Sequence, residues 1–377
     1  MLESLSKEGP FFKKAALIGT GLIGGTIGLA ICERRLVKEV VGFDRDPSAL
    51  AKAAKRGAID SCAESAAEAA READLVILAV PVLSTLKMLD EIISVLEGGA
   101  LVTDVGSTKG SIMAAVEQKL PHDIYFIGGH PMAGSEDSGI EGADSALLEN
   151  AIYALTPGEE VPDELIDRFR GMLEKAGAQT ITLDPLVHDR VVASVSHLPH
   201  ITAAALVQSV AGVDDMELMR TMAAGGFRDS TRIALGNPEV WRDICISNRW
   251  ALLGALKKFK ASIEAIEKHL TEPNSEAIEE YLQQARDYRR SVPHRGRGIL
   301  PEIHEVIVLV RDTPGVIGKL ATLLGEAGIN IDAIEILHVR ELVGGSIRLG
   351  FKSIENMEKA LQVLENKGYN AQTVNRL

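Results

Sequence analysis

The sequence predicts an α/β protein built from three successive parts: a doubly wound parallel sheet, an all-helical domain and a small βαββαβ domain. Short apolar runs alternate with Ala-rich helical segments up to residue 185, and long helical patterns without strand alternation follow over 186–290. After a linker at 291–303 that contains Pro and Gly, residues 304–377 alternate strand and helix signals again. A chain of 377 residues is long for one hydrophobic core, so several domains are expected.

The first part, residues 1–185, contains five short apolar runs that predict strands. They are Ala15–Ile18, Val40–Asp44, Leu75–Val80, Leu101–Asp104 and Tyr125–Gly128. Helical segments such as Ser48–Lys55 lie between them. Nearly continuous apolar strands of this kind are typical of a parallel sheet that is covered by helices on both faces.

A glycine-rich turn, Gly19-x-Gly21-x-x-Gly24, follows the first predicted strand and opens a helix. Glycines in this context let the backbone approach a pyrophosphate, and the helix N-terminus adds partial positive charge, which predicts a Rossmann-type dinucleotide site. Asp44 ends the second strand, where a carboxylate accepts hydrogen bonds from a ribose diol and favours NAD, whereas Arg45 could pair with the 2′-phosphate of NADP. The remaining predicted contacts to NAD are Leu22, Ile23, Val80 and Pro81.

His130 is the candidate general base, because it lies in a Gly/Pro/Ser loop downstream of this turn and imidazole titrates near neutral pH. The alternative is a histidine that only forms hydrogen bonds within its loop. Ser107 follows the fourth strand and could bond His130 or a substrate hydroxyl, or cap the helix that begins near Gly110. Lys109 could be a general acid or a surface charge.

The second part, residues 186–290, reads as three helices at 188–210, 240–269 and 276–289. His197 and His200 are three residues apart on one helical face, which suits hydrogen bonds to an anionic ligand better than a metal site. Arg228 and Arg232 follow a Gly-Gly turn, and an arginine in a cleft can clamp a carboxylate, although a surface salt bridge is the common alternative. The apolar stripes of such helices predict a homodimer.

The composition narrows the class of protein. A net charge of −13 argues against a nucleic-acid partner. The scattered Cys32, Cys62 and Cys245 predict neither a disulfide framework nor a metal site. The N-terminus has no apolar signal-peptide region, and no apolar run approaches the length of a membrane span, so we expect a cytoplasmic protein without a membrane partner.

The third part, residues 304–377, predicts a ferredoxin-like βαββαβ unit. Strands are expected at 305–310, 329–339, 346–351 and 369–374, and helices at 316–327 and 354–367. Gly328 and Gly368 would end the two helices, and Gly344 with Gly345 would form the hairpin turn.

In their order along residues 14–290, these segments closely resemble the prephenate dehydrogenase family. The matching motifs are the glycine turn, Gly106–Gly110, Gly129–Glu136, Ser196–His200, Phe227–Arg232 and Trp241–Asp243. From His304 the chain is similar to an ACT domain, a small-ligand sensor, with Asp312–Gly315 as the matching turn. Val316 and Ile317 stand where a leucine is common in that domain, which leaves the effector open.

The resemblance implies oxidative decarboxylation of prephenate with NAD, giving 4-hydroxyphenylpyruvate. It implies that His130 accepts the proton of the ring hydroxyl and that Ser107 orients His130 and this hydroxyl. The implied substrate contacts are His197, His200, Arg232, Glu136 and Trp241, the last of which would reach the neighbouring subunit's site. It further implies feedback by an amino acid, with tyrosine expected, through Asp312, Pro314, Gly315 and Asn330.

Three rivals stay open at this stage. Arogenate, the amino analogue, differs from prephenate only in the side chain, and the sequence does not separate the two substrates. A β-hydroxyacid dehydrogenase would carry a catalytic lysine where this chain has His197 and His200. A regulator that senses NAD and an amino acid without turnover is the non-enzymatic alternative.

Overall fold

The computed structural model describes residues 9–133, 139–211, 216–292, 304–311, 313–340 and 344–373. The chain divides into two compact units, residues 1–298 and residues 299–377. Each unit has its own buried apolar core. The first two predicted domains, 1–185 and 186–290, belong to a single compact unit, so the boundary between them stays a prediction.

An eight-stranded sheet forms the base of the first unit. Its strands are β1 Phe12–Ile18, β2 Val37–Phe43, β3 Ser61–Cys62, β4 Leu75–Leu78, β5 Leu101–Asp104, β6 Tyr125–Pro131, β7 Ile152–Pro157 and β8 Gln179–Thr182. The spatial order is β3-β2-β1-β4-β5-β6-β7-β8. The first six are parallel in the 3-2-1-4-5-6 order of doubly wound dinucleotide-binding sheets, so the predicted fold class is confirmed.

Two features of this sheet differ from the sequence prediction. Strand β7 runs antiparallel to β6, so the sheet is mixed, and β3, β7 and β8 had not been predicted. Strand β6 continues through Pro131, so His130 lies in a strand and the predicted loop position is wrong. The antiparallel partner explains this, because β7 pairs Ala154 with His130 and extends the ladder.

Helices cover both faces of the sheet. They are α1 Leu22–Glu33, α2 Pro47–Arg56, α3 Ala66–Ala70, α4 Val82–Ile92, α5 Gly110–Val116 and α6 Asp163–Lys175. One buried cluster includes Leu17, Ile27 and Phe169, and the other includes Ile18, Val76 and Leu89. Neighbours on β1 therefore face opposite sides, as the alternation of side chains along a strand requires.

The rest of the first unit is helical. Its helices are α7 Pro185–Val192, α8 Leu198–Val210, α9 Met216–Met222, α10 Gly225–Thr231, α11 Pro238–Ser247, α12 Arg249–Thr271 and α13 Ser275–Ser291. Two of the long helices predicted from the sequence are interrupted. A π-helical turn at Ala193–His197 separates α7 from α8, and Asn248 separates α11 from α12. Both interruptions carry polar residues of the candidate site, in line with the frequent placement of π-turns at functional positions.

The segment Pro185–Val210 is long and apolar enough to cross a membrane by length and composition, because an 18-residue stretch of it has a mean hydropathy of 1.2. The expectation that no run approaches this length was therefore wrong. The segment includes His188, Asp189 and His197, whose side chains are buried and hydrogen-bonded within the unit. Of its most apolar 18 residues, 28% are buried within the unit, and length and composition alone are weak evidence for a membrane span.

The second unit is a four-stranded antiparallel sheet with two helices. Its elements are β9 His304–Val310, α14 Val316–Glu326, β10 Ala333–Arg340, β11 Gly344–Phe351, α15 Ile354–Asn366 and β12 Asn370–Thr373, with sheet order β10-β11-β9-β12. The predicted βαββαβ order is confirmed. The predicted hairpin turn at Gly344 and Gly345 is wrong, because these residues begin β11 and Gly345 pairs with Val310.

Candidate active site

The candidate site lies at the carboxyl edge of the parallel strands. Strand β1 leads into Gly19, β4 into Val80, β5 into Ser107, and β6 carries His130 near its end. Ligands of doubly wound sheets bind at this edge, at the point where the strand order reverses. Here that point lies between β1 and β4, which are adjacent and lead to opposite sides of the sheet.

The glycine turn fits a dinucleotide. Gly19 has a φ of +95°, and a Cβ added there would lie 2.3 Å from the carbonyl oxygen of Ala79. A Cβ at Gly24 would lie 2.0 Å from the oxygen of Gly19, whereas one at Gly21 would meet nothing within 4 Å. Gly21 caps the 12-residue helix α1 without a side-chain hydrogen bond, so the backbone N–H groups of the first turn are available to an anion.

Asp44 lies directly after β2, beside this turn. Its carboxylate accepts hydrogen bonds from the backbone nitrogen of Thr20 at 2.7 Å and from the Thr20 hydroxyl at 3.0 Å. The backbone nitrogen of Asp46 donates to the other carboxylate oxygen at 2.9 Å. These bonds fix the carboxylate at the predicted ribose position, while Arg45 is exposed next to it.

The remaining predicted cofactor residues also lie around the turn. Leu22 and Ile23 form the start of α1 and are half-buried. Val80 and Pro81 connect β4 to α4, and a Cβ at Gly19 would lie 3.3 Å from Cγ1 of Val80. All of the predicted NAD contacts therefore cluster at one place on the sheet edge.

Gly128 and Gly129, which precede His130 on β6, have no room for a side chain because neighbouring strands lie too close to them. A Cβ at Gly128 would lie 2.3 Å from the hydroxyl of Thr156, and one at Gly129 would lie 2.5 Å from the carbonyl oxygen of Asp104. Only glycine fits at such approaches. His130 itself is 7% exposed.

His130 is held by a second histidine that the sequence analysis did not single out. Its Nδ1 lies 2.8 Å from Nε2 of His188, and the two rings meet edge to face. Nδ1 of His188 in turn lies 2.9 Å from Oδ1 of Asp189. Both partners come from helix α7, so the helical part of the unit supplies the groups behind the candidate base.

Burial is the main cause that lowers the pKa of His130 well below its ordinary value, and electrostatic interactions with His188, Lys109 and His197 lower it further. The imidazole is therefore neutral at pH 7. A neutral imidazole has a lone pair that can accept a proton, which is the state that a general base requires.

Ser107 and Lys109 occupy places other than those considered from the sequence. Ser107 is half-buried at the sheet edge, and its side chain forms no hydrogen bond with His130 among the residues that the structure describes. Nor does it cap α5, because Lys109 holds the N-cap position without a side-chain bond. Lys109 is fully buried and donates to Asp104 and, at 2.8 Å, to the carbonyl of Gly129, so it is not a surface charge.

His197, His200 and Trp241 form an aromatic cluster. The ring of Trp241 stacks on His200, with centroids 3.5 Å apart and planes 10° apart, and lies edge-on to His197. Burial lowers the pKa of His197 to about 4 and lowers the pKa of His200. Both imidazoles are therefore neutral at pH 7. Trp241 contacts His200 of its own chain, and its contact with a neighbouring subunit stays a prediction.

Two buried nitrogens of this cluster point to a ligand. Within the described residues, Nε2 of His197 and Nδ1 of His200 are buried without a hydrogen-bond partner. Nδ2 of Asn248 lies 3.2 Å from Nδ1 of His197, so it donates there and the proton of His197 is on Nε2. A buried donor without a partner costs free energy that an acceptor such as a carboxylate recovers.

Arg232 is exposed and begins the short 3₁₀ turn that follows α10. Ile233 of the same turn forms a backbone hydrogen bond with His200, which places the arginine beside the aromatic cluster. Glu136 lies outside the described residues, so its predicted role in shaping the pocket is not addressed by the structure.

The second unit holds the predicted effector residues. Gly315 is left-handed, with a φ of +85°, and caps α14 next to the exposed Pro314. Asn330 donates to Asp332 at 2.9 Å, and Asp312 lies outside the described residues. An open groove of about 630 Å³ begins at Gly315 and follows α14.

The sequence analysis missed His188, Asp189 and Asn248. The one available signal was a pair of polar residues, His188 and Asp189, at the start of an otherwise apolar segment. A charged residue adjacent to histidine in such a segment needs partners, because burial of unpaired charge is costly.

Three family models match the chain in the order of these parts. Residues 27–182 match the prephenate dehydrogenase nucleotide-binding domain, residues 184–284 the prephenate dehydrogenase dimerization domain, and residues 304–366 the ACT domain. The chain is 38% identical over 351 residues to a prephenate dehydrogenase of Bacillus subtilis (strain 168), a match that covers 93% of this chain and 95% of the relative. The chain belongs to the prephenate dehydrogenase family.

Solved structures agree with this assignment. A prephenate dehydrogenase from Aquifex aeolicus, in complex with hydroxyphenyl propionate and NAD+, matches with a TM-score of 0.70 and 30% identity over 74% of this chain and 98% of that chain. An arogenate dehydrogenase from Synechocystis matches with a TM-score of 0.65 and 33% identity over 74% of this chain and 99% of that chain. The resemblances to this family and to an ACT domain are thus confirmed.

Proposed function

We propose that this chain is an NAD-dependent prephenate dehydrogenase that converts prephenate to 4-hydroxyphenylpyruvate and carbon dioxide. The observation that carries the proposal is the neutral, buried His130 at the carboxyl end of β6, beside a glycine turn that fits a dinucleotide. Membership of the family and the NAD+ complex of a related structure support the same cofactor. NAD, when bound, takes up the hydride.

His130 accepts the proton of the ring hydroxyl as the C–H bond of the same carbon breaks and that carbon is oxidised. The C–C bond to the ring carboxylate then breaks, and its electron pair moves through the ring to the carbonyl oxygen, so that the ring becomes aromatic as carbon dioxide leaves. The oxygen takes back a proton to give the phenol, and His130 returns to its neutral state. A positioned base of this kind contributes about 10²–10⁴-fold to the rate. Aromatisation supplies much of the driving force, so the protein mainly positions and polarises the substrate.

The substrate carries two carboxylates, and the site offers donors for them. The proton on Nε2 of His197 is buried and without a partner among the described residues. Arg232 supplies a permanent positive charge next to the Trp241 and His200 cluster. A charge-assisted hydrogen bond to a carboxylate contributes about 1.5–3 kcal/mol.

Arogenate is the second candidate substrate, because a structure matching 74% of this chain is an arogenate dehydrogenase. The two compounds share the ring, its hydroxyl and its carboxylate, so His130 would perform the same step on either. The discrimination must come from contacts to the keto or amino group of the side chain.

Two further properties belong to this proposal. Exposed apolar side chains on the helical part, among them Leu206, Trp250 and Leu253, support a homodimer through this region, as does its match to a dimerization-domain model. The ACT unit supports feedback by an amino acid, for which tyrosine is the proposed effector because it derives from the product. We place the enzyme in the cytoplasm.

The decisive experiment mixes purified full-length protein with NAD and prephenate and follows the absorbance of NADH. Parallel reactions replace prephenate by arogenate and NAD by NADP. Turnover of prephenate with NAD at a higher kcat/KM than any other pair supports the proposal. Turnover of arogenate alone shifts the assignment to the second candidate, and an absence of NADH in every reaction refutes both.

A further inference from the structure

A continuous line of hydrogen bonds runs from the candidate base into the helical part of the unit. It joins Nδ1 of His130 to Nε2 of His188 at 2.8 Å, and Nδ1 of His188 to Oδ1 of Asp189 at 2.9 Å. All three side chains are buried, with exposures of 7%, 1% and 6%. Water therefore does not compete for these bonds.

Asp189 is fixed as an acceptor by two donors that cannot change their role. The backbone nitrogen of Lys109 donates to Oδ1 at 2.8 Å, and that of Gly110 donates to Oδ2 at 2.9 Å. These are the first N–H groups of α5, which no side chain of its own caps. An acceptor-only carboxylate requires that Nδ1 of His188 carries a proton and donates it.

The protonation of the two imidazoles follows in sequence. With Nδ1 protonated, a neutral His188 has its lone pair on Nε2, so it accepts from His130. Nδ1 of His130 then carries the proton, and the lone pair of a neutral His130 lies on Nε2, the nitrogen on the far side of the ring. The network thus assigns the tautomer of the base, as the group behind a catalytic imidazole does in other enzymes.

Asp189, at the end of this line of hydrogen bonds, is fixed through both its side chain and its backbone. The side chain of Asp189 accepts hydrogen bonds from the backbone at the start of α5, which follows the Ser107 loop. The backbone carbonyl oxygen of Asp189 accepts a hydrogen bond from Nδ2 of Asn248 at 2.8 Å. The same Asn248 amide nitrogen lies 3.2 Å from Nδ1 of His197. One residue therefore connects the loop after β5, the base on β6 and the histidine before α8.

We propose that His188 and Asp189 are positioning residues that fix the tautomer and ring orientation of His130, so that its Nε2 lone pair is the proton acceptor. The proposal rests on the proposed function of His130 and adds the groups on which that function depends. The other charged or titratable groups near His130 are Lys109, paired with Asp104, and His197. None of these bonds Nδ1 of His130 among the described residues, so the tautomer depends on His188.

The first test reads the tautomer without any turnover. The full-length protein, which contains nine histidines, is labelled with [¹⁵N]histidine, and long-range ¹H–¹⁵N spectra at neutral pH distinguish protonated from unprotonated ring nitrogens. The signals that disappear in a His130→Asn variant assign His130. We expect Nδ1 to be protonated. Protonation on Nε2 of His130 in the unsubstituted protein overturns the proposal, whichever substrate the enzyme proves to use.

The second test uses two substitutions of His188. His188→Leu removes the acceptor, and we expect kcat to fall by about 10²-fold, within the range that a misplaced catalytic imidazole costs, with little change in the KM for NAD. His188→Gln offers an amide oxygen near the position of Nε2, and we expect its kcat to be roughly tenfold higher than that of His188→Leu. The control is His122→Leu, since the His122 side chain is 98% exposed. The kcat and KM of this variant should equal those of the unsubstituted protein.

A purely structural role would lower the melting temperature and kcat of both His188 variants alike. Equal losses in the Leu and Gln variants therefore overturn the proposal, as does a Leu variant within about threefold of the unsubstituted kcat. A failure of the proposed function gives a different pattern: His130→Asn would keep its activity while the spectra still report Nδ1 protonation of His130 in the unsubstituted protein.

Discussion

Replacement of Lys109 by Met should have two effects. It should lower the stability of the first unit, and it should shift the acid limb of the pH profile of kcat/KM. The ammonium group is fully buried, pairs with Asp104 and donates at 2.8 Å to the carbonyl of Gly129. Methionine has a similar length and fills the same space. The substitution therefore removes the charge and its donors while leaving the volume nearly unchanged.

The expected loss of stability follows from the groups left behind. Removal of one partner of a buried ion pair typically costs about 3–5 kcal/mol, because the other charge stays buried without compensation. Asp104 keeps hydrogen bonds from the backbone nitrogens of Gly106 at 2.9 Å and Gly129 at 3.2 Å. Because these bonds still stabilise the buried carboxylate, we expect a loss of stability at the lower end of this range, roughly 3 kcal/mol. This loss corresponds to a fall in Tm of about 6 °C in a unit of this size.

The effect on the base has a definite sign. The positive charge of Lys109 contributes to the lowered pKa of His130, after the larger effect of burial. Its removal, which also leaves Asp104 as a negative charge, raises that pKa. Because His130 must be neutral to accept a proton, activity falls as the pH drops through its pKa. The acid limb of kcat/KM should therefore move to higher pH in the variant.

The assays are differential scanning calorimetry and the pH dependence of NADH formation from prephenate. The matched control is Lys119→Met, which removes an exposed lysine paired with Asp90 at 2.5 Å. Surface pairs contribute about 0–1 kcal/mol, so its Tm and acid limb should barely change. The reasoning is refuted if the two variants have the same Tm, or if the acid limb of Lys109→Met stays in place or moves to lower pH.

Three other predictions concern the proposed chemistry. His130→Asn should lower kcat by about 10²–10⁴-fold while the Kd of NAD, measured by calorimetry, stays the same, and near-normal turnover would remove His130 from its role. Arg232→Ala should raise the KM for substrate by roughly 10–150-fold, the equivalent of one charge-assisted contact, and an unchanged KM would argue against the carboxylate clamp. Truncation after Arg297 should give an active enzyme that tyrosine no longer inhibits, and inhibition that persists would place the effector site in the first unit.

Much of the fold could be predicted because local signals determine it. The apolar runs before Gly19 and Asp44 and the run Leu101–Asp104 mark three strands of the parallel sheet, and the helix-ending Gly328 and Gly368 mark the second unit. Glycines with positive φ and helix-ending positions depend on only a few neighbouring residues. The dinucleotide site is equally local, since one turn and the end of the next strand form most of it.

The antiparallel strand β7 could not be predicted in the same way. Ile152–Pro157 is a short apolar run like the others, and nothing in it specifies its direction. Its pairing with β6 turned the expected loop around His130 into a strand and brought Thr156 against Gly128. Pairing between distant segments depends on the whole sheet, because each strand is stabilised by neighbours that are remote in sequence.

The sequence by itself determined which residues could do chemistry: a glycine turn for a dinucleotide, His130 as a base, and His197, His200 and Arg232 for an anion. The tertiary structure decided how His130 is held. His188 is 58 positions away in the chain and Lys109 is 21 positions away, yet His188 bonds the imidazole and both affect its charge. A hydrogen bond or an electrostatic effect acts over a few ångströms, so only the folded chain brings such distant groups within reach of each other.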